Sequence, residues 1–211
     1  MPIQIGAKAH DFSEPTGLLS DCHRRIEMFL GSLQRVAEVI DSPLTNGVRA
    51  ALETALRYFK EAAPKHTADE EESLFPRLRQ IHSRDVESAL AALNALEDEH
   101  RRTDALHAEV HALGLQCLDQ GRLPLPEAGR FRQAVSDLVV IYGEHIRIED
   151  DIVFPAAKRA LSGPEKSAIA NEMAFRRKLW PHLNQRQGLL PSCAGDAGGG
   201  TVSAVSWSQM K

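Results

Sequence analysis

His66-Thr-Ala-Asp-Glu70-Glu-Glu-Ser-Leu-Phe75-Pro76 returns later in the chain as His145-Ile-Arg-Ile-Glu149-Asp-Asp-Ile-Val-Phe154-Pro155. In each copy a His is followed four residues later by a Glu, then two more acids, then Phe-Pro. A second echo lies upstream, because His23 precedes His66 by 43 residues and His100 precedes His145 by 45. The order His, His-x3-Glu, His, His-x3-Glu at near-equal intervals is the layout of a metal site assembled inside a helical bundle. Residues four apart on a helix lie on one face, one above the other. His66 with Glu70, and His145 with Glu149, can therefore grip a common centre.

The apolar pattern around these motifs is helical. Leu19, His23, Ile26, Leu30, Leu33, Ala37 and Ile40 step by threes and fours, with Thr16 after Pro15 as the expected N-cap. Leu52, Leu56, Phe59, Ala63, His66 and Glu70 form a second stripe, which Pro64 should kink by removing a ladder hydrogen bond. Val86, Ala89, Leu93, Leu96 and His100 form a third, and Leu106, Val110, Leu113 and Cys117 continue that helix on a rotated face. Phe131, Ala134, Leu138, Ile141, His145, Glu149, Ile152 and Ala156 form a fourth. Turn signals separate them: Asp41–Gly47, the stretch near Ser83, Gln120–Pro126 and Ser162–Pro164.

Chain lengths test whether these helices form one bundle. Each of the four histidines lies about 18–20 residues from one end of its helix, which is roughly 27–30 Å at ~1.5 Å per residue. His66 and His100 are each about 15 residues from the turn near Ser83, roughly 22 Å. Four antiparallel helices would thus bring all four histidines to one level. The expected fold is all-α: an up-down-up-down antiparallel four-helix bundle over residues 16–161. An irregular lead-in, 1–15, precedes it. A short fifth helix within 162–184 and a Gly/Ser/Ala-rich disordered tail, 185–211, follow.

Four imidazoles and two carboxylates make two sets of two His and one carboxylate, a ligand set that suits non-haem iron. Carboxylates can bridge two metals, so two iron ions are the expected cofactor, held by His23, His66, Glu70, His100, His145 and Glu149. Zinc fits less well, since structural zinc favours a closed tetrahedral set, often with sulfur. A single His on an apolar face is more often a core or boundary residue than a ligand. An unpaired buried Glu, however, is costly, and two on core stripes demand a cation. Asp69 could reach a metal, but its counterpart in the second copy is Ile148. Glu71, Glu72, Asp150 and Asp151 read as solvated charge pointing away from the core. Tyr142, one turn before His145, and Glu99, beside His100, are candidates to support the ligands from behind, against the default readings of a boundary tyrosine and a solvated acid. His107 and His111 lie on the same side of their helix as His100, roughly 10 and 16 Å further along. They suit a polar channel or partly exposed surface. Cys22 is expected to be an inert packing thiol.

With this residue set in place, the chain resembles the hemerythrin-like HHE cation-binding family over about residues 16–161. The resemblance implies a four-helix bundle around a non-haem di-iron site. Oxygen-carrying hemerythrins have a fifth His four residues after the first on the third helix, where this chain has Asp104. The set of four His and two Glu is closer to the branch that includes di-iron proteins implicated in repairing nitric-oxide-damaged iron–sulfur clusters. That branch's cysteine-bearing N-terminal extension has no counterpart in the sequence.

Bulk properties narrow the functional classes. The chain has 211 residues, a net charge of −4 and 5% aromatic content. This argues against nucleic-acid or anionic-membrane binding. No apolar run is long enough to span a bilayer. Three scattered cysteines, Cys22, Cys117 and Cys193, fit a reducing cytoplasm better than a disulfide framework. The first functional expectation is a binding protein that takes dioxygen or nitric oxide for sensing, storage or scavenging. The second is a di-iron enzyme or iron donor acting in nitrosative or oxidative stress, by nitric oxide or peroxide reduction or by cluster repair. The third is a regulatory module that needs a protein partner to deliver its output.

Overall fold

The computed structural model describes residues 10–179. The tail expected over 185–211 and Cys193 lie outside the described residues, as does the first part of the lead-in. Helix α1 spans Pro15–Val39, α2 Asn46–Glu61, α3 Ala63–Asp69, α4 Phe75–Leu78, α5 Glu87–Gln120, α6 Leu125–Ile148, α7 Phe154–Ala160 and α8 Gly163–Arg176. Helices α2 and α3 meet at Ala62, where Pro64 in the first turn of α3 withholds the N–H that a continuous helix would need. Helix α1 packs on α2 and α6, and α5 packs on the same two, which closes a four-membered ring. Short connections make neighbours in the chain antiparallel, and the result is a four-helix bundle. At one end the connecting loops are tied together. Leu44 N–H donates to the Gly121 carbonyl at 2.8 Å, and Leu123 N–H donates to the Ile40 carbonyl at 2.8 Å. Gly121 ends α5 with φ of +79°, a left-handed C-cap that side chains resist.

The core falls into two apolar clusters separated by a polar layer. One gathers Ile26, Leu30, Leu56, Phe59, Val110, Leu138 and their neighbours near the tied loops. The other gathers Leu19, Leu74, Phe75, Leu93, Leu96 and Val153 towards the opposite end. His23, His66, Glu70, His100, His145 and Glu149 lie between them, all buried. The first three expected stripes are buried at every position. Thr16 is not the N-cap of α1: Glu14 holds that position without a side-chain bond, Pro15 opens the first turn, and Thr16 is buried.

The fourth stripe departs from expectation at Ile141, which is half-buried while its neighbour Tyr142 is buried, and again after Glu149, where the cause lies in the repeat itself. Both motifs contain a widened π turn, Glu70–Leu74 and Glu149–Val153. Phe75 N–H donates to the carbonyl of Glu70, and Phe154 N–H to that of Glu149, each five residues back. The next residue in each copy is proline, which has no N–H and whose ring collides with the carbonyl four residues earlier. A wider turn relieves that collision within a continuing helix. The extra residue in the turn rotates the residues within it by one position, while Ala156 beyond it stays buried as expected. Ile152, expected on the core face, is 36% exposed, and Val153 takes its place at 0%.

This register shift has a direct test. Ile152→Asp should leave stability within about 0.5 kcal/mol of the parent, as for an ordinary surface change. Val153→Asp buries an unpaired carboxylate and should lower the melting temperature sharply, or abolish cooperative unfolding. Thermal unfolding of the two variants side by side reads the difference.

Candidate metal centre

The six side chains converge into two overlapping groups. His23, His66, Glu70 and Glu149 place one ligand atom each within 4.8 Å of one another, and so do Glu70, His100, His145 and Glu149. Both carboxylates belong to both groups, the arrangement required of bridging ligands. Glu149 Oε2 lies 3.0 Å from His23 Nε2 and 3.2 Å from His145 Nε2. Glu70 Oε1 lies 3.1 Å from His66 Nε2, and its Oε2 lies 3.6 Å from His100 Nε2. The π turns begin at these two glutamates, so each carboxylate leaves its helix where the backbone is already widened.

Three imidazoles are oriented from behind. Asp150 Oδ1 is 3.0 Å from His23 Nδ1, Glu71 Oε1 is 2.7 Å from His100 Nδ1, and Glu99 Oε2 is 2.9 Å from His145 Nδ1. A carboxylate at Nδ1 holds the proton there and leaves Nε2 as a bare lone pair, the usual support for a metal-binding histidine. Glu71 and Asp150 therefore do not point away into solvent. Each directly follows its motif's glutamate and reaches the histidine of an adjacent helix. Their signal in the sequence was the acid at the fifth place after His in both copies. Reading it requires knowing which helices are neighbours.

The support behind the rings differs between the two halves. Glu99, the residue before His100, orients His145. The corresponding residue before His23 is Cys22, and His66 Nδ1 is buried with no hydrogen-bond partner among the described residues. Cys22 is itself buried, with an Arg25 guanidinium nitrogen 3.0 Å from its sulfur.

The layer is electron-rich. Among the described residues, neither oxygen of Glu70 or Glu149, nor His23 Nε2, makes a hydrogen bond of good geometry, although imidazole nitrogens lie close to the carboxylates. His100 Nε2 and His145 Nε2 face each other at 3.1 Å. With Nδ1 protonated on each ring, that contact sets one lone pair against another. Burial and repulsion from Glu149 push the Glu70 carboxyl well above the usual carboxylate range. Burial acts on Glu149 in the same sense, but His145 and His23 beside it outweigh burial and hold it low. Burial drives His66 well down. His23 and His145 lie above the ordinary histidine value despite burial, because Asp150, Glu149 and Glu99 favour their charged forms. A cavity of lone pairs lacking donors is what a metal cation satisfies, and these residues could hold one or more.

The other expected residues fall behind or beside this layer. Tyr142 is buried one turn before His145, with its ring centroid 6.2 Å from that imidazole, but its hydroxyl bonds His107 Nε2 at 2.9 Å. His107 is partly buried, stacked on Phe59, and burial pushes its pKa down to about 4. Asp104, in the place of the fifth histidine of oxygen carriers, is exposed. Asp69 faces away from the layer. It is fully buried against α8, with Arg176 Nη1 at 2.9 Å and Arg177 Nη2 at 2.5 Å. Its counterpart Ile148 needs no such partner, so only the first motif is clamped from outside.

The comparisons agree with this geometry. The model of the hemerythrin HHE cation-binding domain matches residues 14–157. The chain belongs to the hemerythrin HHE family. The match runs from the start of α1 into α7, and so takes in all six residues of the HHE layer. The chain is also similar to an uncharacterized protein of Haemophilus influenzae, 25% identical over 172 residues, which are 80% of this chain and 92% of the relative. Among the described residues, no helix is long and apolar enough to cross a membrane.

The clamp on the HHE domain makes a prediction. Asp69→Ala removes the buried carboxylate shared by two partly exposed guanidinium groups, which keep Glu72, Ser73 and the Met173 carbonyl as partners, and should cost about 1.5–3 kcal/mol, the worth of charged hydrogen bonds. Hydrogen exchange in α8 should accelerate first, because Arg176 and Arg177 are its anchors.

Proposed function

We propose that the chain is a non-haem di-iron protein that binds dioxygen or nitric oxide for sensing, storage or scavenging. The observation that carries this reading is the donor-free layer: four carboxylate oxygens and facing imidazole nitrogens, all out of water. The ligands would be His23, His66, Glu70, His100, His145 and Glu149, with the two carboxylates shared between the ions. Nitrogen and carboxylate donors without thiolate favour iron over structural zinc. When bound, such a pair of irons supplies reversible one- or two-electron redox chemistry and an open position for a diatomic ligand.

The protein's own residues do the rest. Asp150, Glu71 and Glu99 hold three rings in register and raise the basicity of Nε2. The two apolar clusters exclude water above and below the layer, which strengthens every charge interaction within it. Tyr142 and His107 provide a hydroxyl and a neutral imidazole one turn from His145. A second reading, a di-iron enzyme or iron donor acting on nitric oxide or peroxide, draws support from Asp104. Its exposure leaves the set one imidazole short of the oxygen carriers, and a less saturated site is more reactive. A partner-dependent regulatory role has no specific feature in its favour.

Iron analysis of protein loaded without oxygen should give about two ions per chain. An optical spectrum that changes on exposure to air and returns on removing oxygen supports carriage, whereas turnover of nitric oxide or peroxide supports the enzyme. A maximum of one metal per chain rejects the di-iron reading. Glu70→Ala and Glu149→Ala should each lose metal while the bundle stays folded, and His107→Ala should keep full iron. Asp150→Asn, Glu71→Gln and Glu99→Gln should weaken metal affinity by about 10–100-fold each, measured by competition with a chelator. The pH dependence has a defined sign. His23 and His145 titrate above the ordinary histidine value, so protons compete with metal for them first as pH falls. Metal retention on dialysis should therefore decline towards acid, beginning above about pH 6.5.

A further inference from the structure

A cavity of about 340 Å³ opens between α2–α3, α5 and α6, beside the HHE layer. Thr103 and Tyr142 are in its wall. Thr103 donates to the His100 carbonyl at 2.9 Å, and the Tyr142 ring meets that of His145 edge to face. The cavity therefore abuts the layer on its His100–His145 side. Its size bears on what it holds. A diatomic ligand occupies about the space of one water, roughly 30 Å³, whereas an apolar cavity of about 150 Å³ suffices for benzene. The volume here lies in the range of small-molecule sites, about 300–1,000 Å³.

The lining has the composition of such a site. Leu56, Phe59 and Val110 are buried and apolar. A polar pair, His107 with Tyr142, is set into that apolar wall beside Thr67, Thr103 and His111, and the Phe59 ring stacks on the His107 imidazole at 4.7 Å. At the rim Lys60 and Asp104 are exposed and of opposite sign, so the mouth selects for neither charge. Aromatic and aliphatic walls, a few polar side chains and rim charges of opposite sign describe a neutral guest.

We propose that this cavity is a second binding site, for a small neutral organic molecule with an aromatic or alicyclic body and one hydroxyl or carbonyl group. The body lies against Leu56, Phe59 and Val110, and the polar group meets the His107–Tyr142 pair. The site would make the protein a binder of organic molecules as well as of a diatomic gas. It needs no metal to form, so it goes beyond the reading above and can be tested apart from it.

Phenol and benzene are suitable probes on the full chain as purified. Saturation-transfer NMR should show saturable binding of both. Ala108→Trp places a large ring at the exposed rim, a change that spares the core, and should abolish binding of both while the melting temperature is kept. His107→Leu removes the polar partner. It should weaken phenol by about tenfold, the worth of one hydrogen bond, and leave benzene nearly unchanged. Absence of saturable phenol binding overturns the proposal, and so does equal binding to the parent and to a folded Ala108→Trp. An equal loss of phenol and benzene in His107→Leu overturns the assigned polar contact. In iron-loaded protein, bound phenol protons should relax faster than in zinc-loaded protein. Binding without that enhancement supports the cavity and counts against the metal reading, so the two can fail separately.

Discussion

Two carboxylates and four imidazoles are buried in one layer across the middle of the bundle. Neither an isolated carboxylate nor a pair of facing lone pairs is tolerable in a dry core. Among the described residues, Glu70 and Glu149 make no hydrogen bond of good geometry, and the outward nitrogens of three rings are already taken by carboxylates. Everything else in the architecture keeps these groups together despite that cost. The apolar clusters on either side bind the four helices to one another, and the tied loops at one end keep their levels aligned. A cation bound in the layer would turn the most unfavourable part of the core into a cross-link of all four helices.

The π turns connect this constraint to the chain's repeat. A proline inside a helix usually ends it, because an N–H is missing and the ring collides with a carbonyl. Here the helix widens by one residue and continues. The widened turn starts at the buried carboxylate, so backbone adjustment and placement of the candidate ligand coincide in both copies. The same turn sets the next residue, Glu71 or Asp150, against a histidine of another helix. One local backbone feature thus positions a ligand and its neighbour's support together.

The two halves are related in sequence but not equivalent in structure. Glu99 stands behind His145, while Cys22 occupies the corresponding place in the first half and His66 lacks a partner at Nδ1. Helix α8 clamps only the first motif, through Asp69. The cavity opens on the His100–His145 side, next to the imidazoles that are held from behind by carboxylates. A bundle built from two similar halves has acquired an outside clamp on one motif and, between α2–α3, α5 and α6, room for a guest.

The six buried groups were legible in the sequence because both of their requirements are local or arithmetical. A His and a Glu four residues apart share a helix face whatever surrounds them, and equal helix lengths bring histidines to one level in any antiparallel bundle. Burial of the first three stripes follows from the same 3.6-residue period. The fourth stripe failed at Ile152 because a π turn adds a residue that periodicity alone does not count, although Phe-Pro in both copies was its visible trace. The roles of Glu71, Asp150 and Asp69 were not legible. An acid beside a ligand is solvated or inward-reaching depending on which helix packs against it, and only the tertiary arrangement decides that. The cavity likewise belongs to no single element. Its walls come from separate helices, and the space between them exists only once those helices have packed.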